Sequence, residues 1–310
     1  MERPQPAHEL MATEGTSRHA LRRAVEEGEL DRVRRGFYAP HRDLDRRARH
    51  RQLIAATYPL LGAGSVLSHA SAAIMLGLPV RQDLLDRVWV TRPGGGHGRR
   101  GPVVQLRRCS LDAGEVTAVD GFAVTTLART VIDLARQMPY EWGVIGCDAA
   151  LAGDCSRESL IEAAQSVRAW PGGRRALSAA RFADGASGSP AESLSRVQMQ
   201  RAGLPTPVTQ FPVFLNGRLV ATTDFGWEDA GLIGECDGKV KYGELLRPGE
   251  KPEDAVMREK RREERIREAG YWIVRWGWQE ACDQAELARI IRRGLELAPG
   301  SARPGRRWSA

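Results

Sequence analysis

Six side chains in the C-terminal third are of types that could do chemistry together: Glu192, Asp224, Glu235, Asp237, Lys239 and Lys241. The last four lie in the run GECDGKVKY. Residues two apart along a strand point to the same face, roughly 7 Å apart. Glu235, Asp237, Lys239 and Lys241 therefore share a face as far as the strand continues past Gly238. Asp224 ends the preceding strand of a predicted hairpin, which sets its carboxylate opposite Glu235, and Glu192 enters from a helix before them. Grouped carboxylates are costly on a buried sheet face unless something neutralises them. Mg²⁺ (or Mn²⁺) does so naturally, because it favours carboxylate and water oxygens. A metal held by Asp224 and Glu235 could activate water and stabilise a charged phosphodiester transition state. A neighbouring lysine could orient or deprotonate that water, where an always-protonated planar arginine would serve poorly. Only four of the 46 basic residues are lysines, so two within one short strand stand out.

The elements that must position these groups follow from turn signals and periodicity. Ser189 caps, and Pro190 opens, a helix PAESLSRVQMQRAG that closes at Gly203. Strands are expected at QFPVFLNG, at RLVATTDFGW after the Asn216-Gly217 turn signal, and at GLIGECDGKVKY. A charged helix over 252–269, an apolar strand YWIVRW and a last helix QAELARIIRRGLEL complete the unit. The charged helix sets Arg258, Arg261, Arg262 and Arg265 along one broad side that could follow a phosphate backbone. A solvated, salt-paired helix is the commoner arrangement, and Glu263 stands four residues before Arg267. Trp272, Trp276 and Trp278 read as core residues, and SARPGRRWSA as a disordered tail.

At the other end, residues 7–14 and 16–27 read as two short helices. Gly15-Thr16-Ser17 forms the turn, a hydroxyl caps the second helix, and Leu10, Met11, Leu21 and Val25 form the buried side. Gly28 closes the second helix, and ELDRVRRGFYAP alternates like a hairpin with Arg34-Arg35-Gly36 near its tip. This is the layout of a winged helix-turn-helix. Arg18, His19, Arg22 and Arg23 on the second helix, with Arg34 and Arg35 on the hairpin, could reach phosphates and base edges. A small helical hairpin with a solvated arginine face fits the charge equally well. Residues 41–60 look helical, and GSVLSHASAAIMLGLPV adds a helix closed by Gly77. Strands DRVWVTRP, PVVQLRRC and GFAVTTL follow, then an amphipathic helix ARTVIDLARQM and helices near 141–152 and 156–169. ADGASGS reads as a flexible boundary.

The expected organisation is thus multidomain α/β. A winged helix over 1–50 precedes a small α/β domain over 51–139 and a helical connector over 140–187. A mixed sheet flanked by helices spans 188–298, and a tail 299–310. The 310 residues carry a formal charge of +7, which suits a polyanionic partner. No apolar run is long enough to span a bilayer, and the N-terminus has acids and prolines where a signal peptide needs an apolar stretch, so a cytoplasmic location without a membrane partner is expected. The five cysteines, Cys109, Cys147, Cys155, Cys236 and Cys282, contain no C-x-x-C pair, which argues against a zinc ribbon or disulfide framework and for buried thiols. All six histidines lie at or before His97, which excludes a histidine-dependent nuclease, a His-ligated zinc hydrolase or a Ser-His-Asp triad farther on.

Two stretches resemble known families. SPAESLSR, TTDFGW, GECDGKVKY and EKRREERIREAGYWIVRW, over about residues 188–280, resemble the very-short-patch-repair-like branch of the PD-(D/E)XK restriction-endonuclease fold. The resemblance implies a Mg²⁺-dependent DNA endonuclease domain with Glu192, Asp224, Glu235 and Asp237 as its acids. In the broad superfamily a lysine stands two residues after the strand glutamate; here that position is Asp237. This branch carries its basic residue farther along, a place that Lys241 fits, with Lys239 as the alternative. GELDRVRRGFYAP, VLSHASAAIMLGLPV and VDGFAVTTLARTVIDLAR resemble the AbiEi-type antitoxin of type IV toxin–antitoxin systems. That resemblance implies a winged-helix DNA binder followed by a small α/β domain, over about residues 5–138, with a cognate toxin as a candidate partner. It also supports the alternative to the nuclease, a non-catalytic DNA-binding regulator. In it Ser68-His69 begins the second element, and His69 reads as structural.

Overall fold

The computed structural model describes residues 3–13, 15, 17–237 and 251–302. The chain divides into two compact units, 1–139 with 154–181, and 140–153 with 182–310. Segment 140–187, expected as a connector, is thereby shared between the two. Lys239 and Lys241 lie outside the described residues. Among the described residues, no helix is long and apolar enough to cross a membrane.

The first unit opens with β1 (Gln5–Pro6), α1 (Ala7–Thr13), α2 (Arg18–Glu26), β2 (Leu30–Arg34) and β3 (Phe37–Pro40). The three strands form a small sheet in the order β1-β3-β2, with β2 and β3 antiparallel. Leu10, Leu21, Phe37 and Ala39 are its buried side chains. Asp45 then caps α3 (Arg46–Thr57) by accepting from Ala48 N at 2.7 Å. Next come β4 (Val66–Leu67), α4 (His69–Met75), β5 (Val88–Arg92), β6 (Arg99–Arg100), β7 (Val104–Arg108), β8 (Val116–Val119), β9 (Phe122–Thr125) and α5 (Leu127–Gln137). The strands make a six-stranded mixed sheet, β6-β7-β5-β4-β9-β8. Its core joins Ile54 of α3, Ala72 and Met75 of α4, and Leu67, Val88, Val90 and Val124 of the sheet.

α6 (Tyr140–Ala152) belongs to the second unit, whereas α7 (Arg157–Ser166) and α8 (Gly173–Phe182) largely return to the first. The loop after α8, expected to be a flexible boundary, is tied down within the second unit. Asp184 N donates to Asp148 at 2.8 Å, Ser187 is buried, and Gly185 sits so close to Leu151 that a Cβ would meet its backbone at 2.9 Å.

The second unit continues with α9 (Pro190–Arg201), β10 (Val208–Leu215), β11 (Arg218–Trp227), β12 (Leu232–Asp237), α10 (Pro252–Glu268), β13 (Trp272–Gly277), α11 (Trp278–Cys282) and α12 (Gln284–Leu297). Its sheet runs β10-β11-β12-β13, antiparallel except for the parallel β12–β13 pair. Alternation along β12 sends neighbouring residues to opposite faces. Leu232 and Cys236 join Phe225, Trp227 and Trp276 beneath Leu194 of α9 and Leu287 and Ile291 of α12. Ile233 joins Phe211, Val213 and Ile266 of α10 on the other side. The result is a mixed sheet with helices on both faces. Trp276 is buried and stacks on Phe225 at 5.6 Å, but Trp272 and Trp278 are exposed rather than in the core.

Candidate functional site

The N-terminal module presents its basic side chains because its apolar ones are consumed in a very small core. Ser17 accepts from Ala20 N at 3.1 Å and so starts α2 directly after the turn at Gly15, whose φ is +62°. With Leu21 buried, Arg18, His19, Arg22 and Arg23 remain exposed. Arg22 meets Glu26 at 3.3 Å and Arg23 meets Glu27 at 3.0 Å, both as i,i+4 pairs at the surface. Such pairs contribute well under 1 kcal/mol and would yield to a phosphate. The β2–β3 hairpin turns at Arg35-Gly36, with Gly36 at φ +82°, as the sequence pattern predicts. Arg35 is exposed at the tip. Arg34 is half-buried, its Nε has no partner among the described residues, and burial lowers its pKa. Of the five arginines proposed as nucleic-acid contacts, Arg34 is therefore the one held partly inside the fold.

In the second unit the sheet brings four acids to one end. Asp224 lies one step beyond the Phe225↔Gly234 pair, and its Oδ2 accepts from Cys236 N on β12 at 2.8 Å. Burial raises its pKa to about 6 against that hydrogen bond, and Glu192, Glu235 and Asp237 push it the same way. Glu192 is buried at the start of α9, where Ser189 Oγ caps its N–H at 3.2 Å. Its Oε2 accepts from Gly188 N at 2.9 Å and from Gln210 Nε2 at 3.2 Å. Gln210 sits on β10 between the Thr209↔Phe225 and Phe211↔Thr223 pairs and takes φ +51°, an uncommon conformation for a side chain of this kind. Asp237 is exposed, and burial of its carboxyl group raises its pKa while Arg275 lowers it.

Glu235 is 6% exposed, and both its oxygens are taken. Arg262 of α10 holds Oε1, and Arg275 of β13 reaches Oε2 at 3.0 Å. The parallel register places Arg275 directly beside Glu235. Glu259 meets Arg262 and Arg275, each at 3.1 Å, and Glu263 meets Arg275 at 3.2 Å. The neutralising charge expected from a metal is thus supplied by two guanidinium groups. Among the described residues, no three His, Cys, Asp or Glu side chains gather as a metal site. As arranged, both oxygens of Glu235 are engaged by guanidinium groups, whereas Asp224 has Oδ2 engaged by Cys236 N.

The structure sets Glu192, Glu235 and Asp237 within electrostatic reach of Asp224. Sequence reasoning misses Gln210 and the roles of Arg262 and Arg275. Arg262 reads in the sequence as a solvated helix residue. The usable signal for Arg275 is its place in YWIVRW, which reads as a strand. Gln210 carries no signal, because its importance lies in a backbone conformation.

Comparison with known proteins follows this division of the chain. Residues 7–41, which span α1 to just past β3, match the family described as "Transcriptional regulator, AbiEi antitoxin". Two proteins of Mycobacterium tuberculosis are similar over nearly the whole chain: "Uncharacterized protein MT2308" of strain CDC 1551 / Oshkosh and "Uncharacterized protein Rv2248" of strain H37Rv. Each is 30% identical over 264 residues, covering 83% of this chain and 89% of the relative. The chain belongs to the family of these mycobacterial proteins. At that coverage a match cannot be confined to either unit alone. The antitoxin-regulator likeness, by contrast, is carried by the N-terminal module.

Proposed function

We propose that the chain is a DNA-binding regulator of the antitoxin kind, with α2 and the β2–β3 hairpin as its DNA-contacting elements in a winged helix-turn-helix. The observation that carries this reading is the coincidence of the regulator-family match at 7–41 with a helix-turn-helix and hairpin exposing Arg18, Arg22, Arg23 and Arg35. The arginines supply phosphate contacts, and α2 is the element sized for a major groove. A cognate toxin is the protein partner this reading implies. The test is duplex binding by the full chain across a salt series. Replacing Arg18, Arg22, Arg23 and Arg35 with Glu should weaken binding and flatten the log–log salt slope by about 0.9 for each phosphate no longer neutralised. Wild-type affinity with an unchanged slope would remove the module as the DNA reader.

A specific observation favours a second reading, phosphodiester hydrolysis by the second unit in a restriction-endonuclease-like fold. Glu192, Glu235 and Asp237 act electrostatically on Asp224, whose pKa burial raises to about 6, beside the unusual backbone of Gln210. Perturbed acids at such a cluster are a mark of function. Glu235 would first have to leave Arg262 and Arg275 for a divalent cation to enter. Plasmid nicking in Mg²⁺ or Mn²⁺, compared between wild type and Asp224→Ala, decides it: cleavage that survives the substitution rules out the acidic cluster, and no cleavage by wild type leaves the regulator alone.

A further inference from the structure

The six-stranded sheet of the first unit carries a second basic feature, far along the chain from α2. β5 and β7 pair in parallel with Trp89 opposite Gln105 and Thr91 opposite Arg107. Arg87, Trp89, Gln105 and Arg107 therefore share the face turned away from buried Val88 and Val90. Edge strand β6 sets Arg100 beside Gln105. With His97 from the loop before β6, these residues line a cavity of about 580 Å³. That is within the size range of small-ligand sites.

No carboxylate is paired with the arginines of this cavity among the described residues, although Asp133 acts on Arg107 from farther off. Arg107 is half-buried; one terminal nitrogen donates to Gln137 at 2.9 Å, its guanidinium lies 5.6 Å from the Trp89 ring centre, and its buried Nε has no partner among the described residues. Arg87 spends its Nε on the carbonyl of Gly101 at 3.0 Å. Among the described residues none of Arg87, Arg100 and Arg107 is in an ion pair, whereas Arg129, Arg136, Arg196, Arg262 and Arg275 all are. Asp83, the carboxylate on the cavity wall, is already held by Arg81 through two bonds of 2.9 Å. Burying part of a guanidinium without a counter-ion is unfavourable, and an anion entering the cavity would relieve it.

We propose that the cavity formed by Arg87, Trp89, Arg100 and Arg107 is a phosphate-binding site. Guanidinium forks match the geometry and charge of a phosphate group and bind it through charge-assisted hydrogen bonds. The phosphate is either that of a free small molecule or one in a nucleic-acid backbone. The second source rests on the regulator reading above; the first does not.

The experiment has two arms, both on the full chain. Calorimetry with inorganic pyrophosphate tests the free ligand, and duplex affinity across a salt series tests the backbone. Each is run on wild type, on Arg100→Gln/Arg107→Gln, and on Arg87→Gln/Arg100→Gln, which leaves half-buried Arg107 in place should its loss impair folding. Pyrophosphate binding that weakens about tenfold or more in the variants assigns the site to a free phosphate. No pyrophosphate binding, but a salt slope reduced by about 0.9 for each arginine that meets a phosphate, assigns it to the backbone. Pyrophosphate binding that both variants leave untouched, or no response in either arm, overturns the proposal. An Arg22→Glu/Arg23→Glu control separates the two readings: it should keep pyrophosphate binding whatever it does to DNA affinity.

Discussion

Asp224→Asn should make the second unit more stable at pH 8 and leave it unchanged near pH 4. Burial and the neighbouring acids raise the Asp224 carboxyl from its ordinary 3.8 to about 6, despite the opposing hydrogen bond from Cys236. Between those values the folded protein binds a proton that the unfolded chain does not. Stability from that proton is therefore complete below about pH 4 and is lost as pH rises through 6. At ~1.4 kcal/mol per pH unit the shift corresponds to about 3 kcal/mol, and solvent screening of a partly exposed carboxyl reduces this to about 1–2 kcal/mol. Asn keeps an oxygen for the Cys236 N–H and removes only the charge. Urea unfolding followed by tryptophan fluorescence, with Trp227 and Trp276 packed in the core of this unit, should show Asn ahead of wild type by about 1–2 kcal/mol at pH 8. The gap should close as pH falls to about 4. A gap that does not change with pH, or a variant weaker than wild type at pH 8, would refute the argument. The expected result would mean that Asp224 is retained at a cost in stability, as functional acids are.

The first unit should respond to pH in the opposite sense. Burial lowers His50 and His69 to about 4, so their contribution is complete above about 6.5 and is lost as pH falls toward 4; NMR of the imidazole C–H signals should show both rings neutral from pH 8 down to about 5.5. Asp133 is 1% exposed and accepts from Arg129 at 2.8 Å and Arg136 at 2.9 Å, so Asp133→Ala should cost about 3–5 kcal/mol in chemical denaturation by stranding buried guanidinium charge; a loss under about 1 kcal/mol would show that Glu115 alone suffices for Arg129. Ser17→Ala removes the cap of α2 and should lower stability by about 1 kcal/mol, with weaker duplex binding and an unchanged salt slope, because every arginine that neutralises a phosphate is still present.

Much of the fold is legible in the sequence because it is local. The α2 cap, the Arg35-Gly36 turn, the Asn216-Gly217 turn and the proline-initiated α9 are each written within a few residues, and all form where expected. The failures have local explanations too. α8 escapes notice because Gly172-Gly173 reads as a loop. Gly172 does turn the chain at φ +77°, but both glycines are needed for close approach, since a Cβ at Gly172 would lie 2.0 Å from the Arg136 carbonyl and one at Gly173 2.2 Å from that of Val167. β1, β4 and β6, of two residues each, are too short for alternation to register. Residue type alone places Trp272 and Trp278 in the core, yet both are exposed while Trp276 is buried.

The acidic cluster shows where pattern reading stops. That Glu192, Asp224, Glu235 and Asp237 converge follows from strand parity and one hairpin. What neutralises them does not, because Arg275 is brought beside Glu235 only by a parallel pairing of strands far apart in the chain, and Arg262 only by the rotation of α10 about its own axis. A helix with arginine at 258, 261, 262 and 265 has several residues that could turn inward, and composition does not choose among them. The choice matters chemically. A carboxylate paired with two guanidinium groups ties α10, β12 and β13 together, whereas the same carboxylate on a metal is a catalytic ligand. One set of acids therefore serves either a regulator's scaffold or a nuclease's centre, and the difference rests on whether Arg262 and Arg275 can be displaced from Glu235.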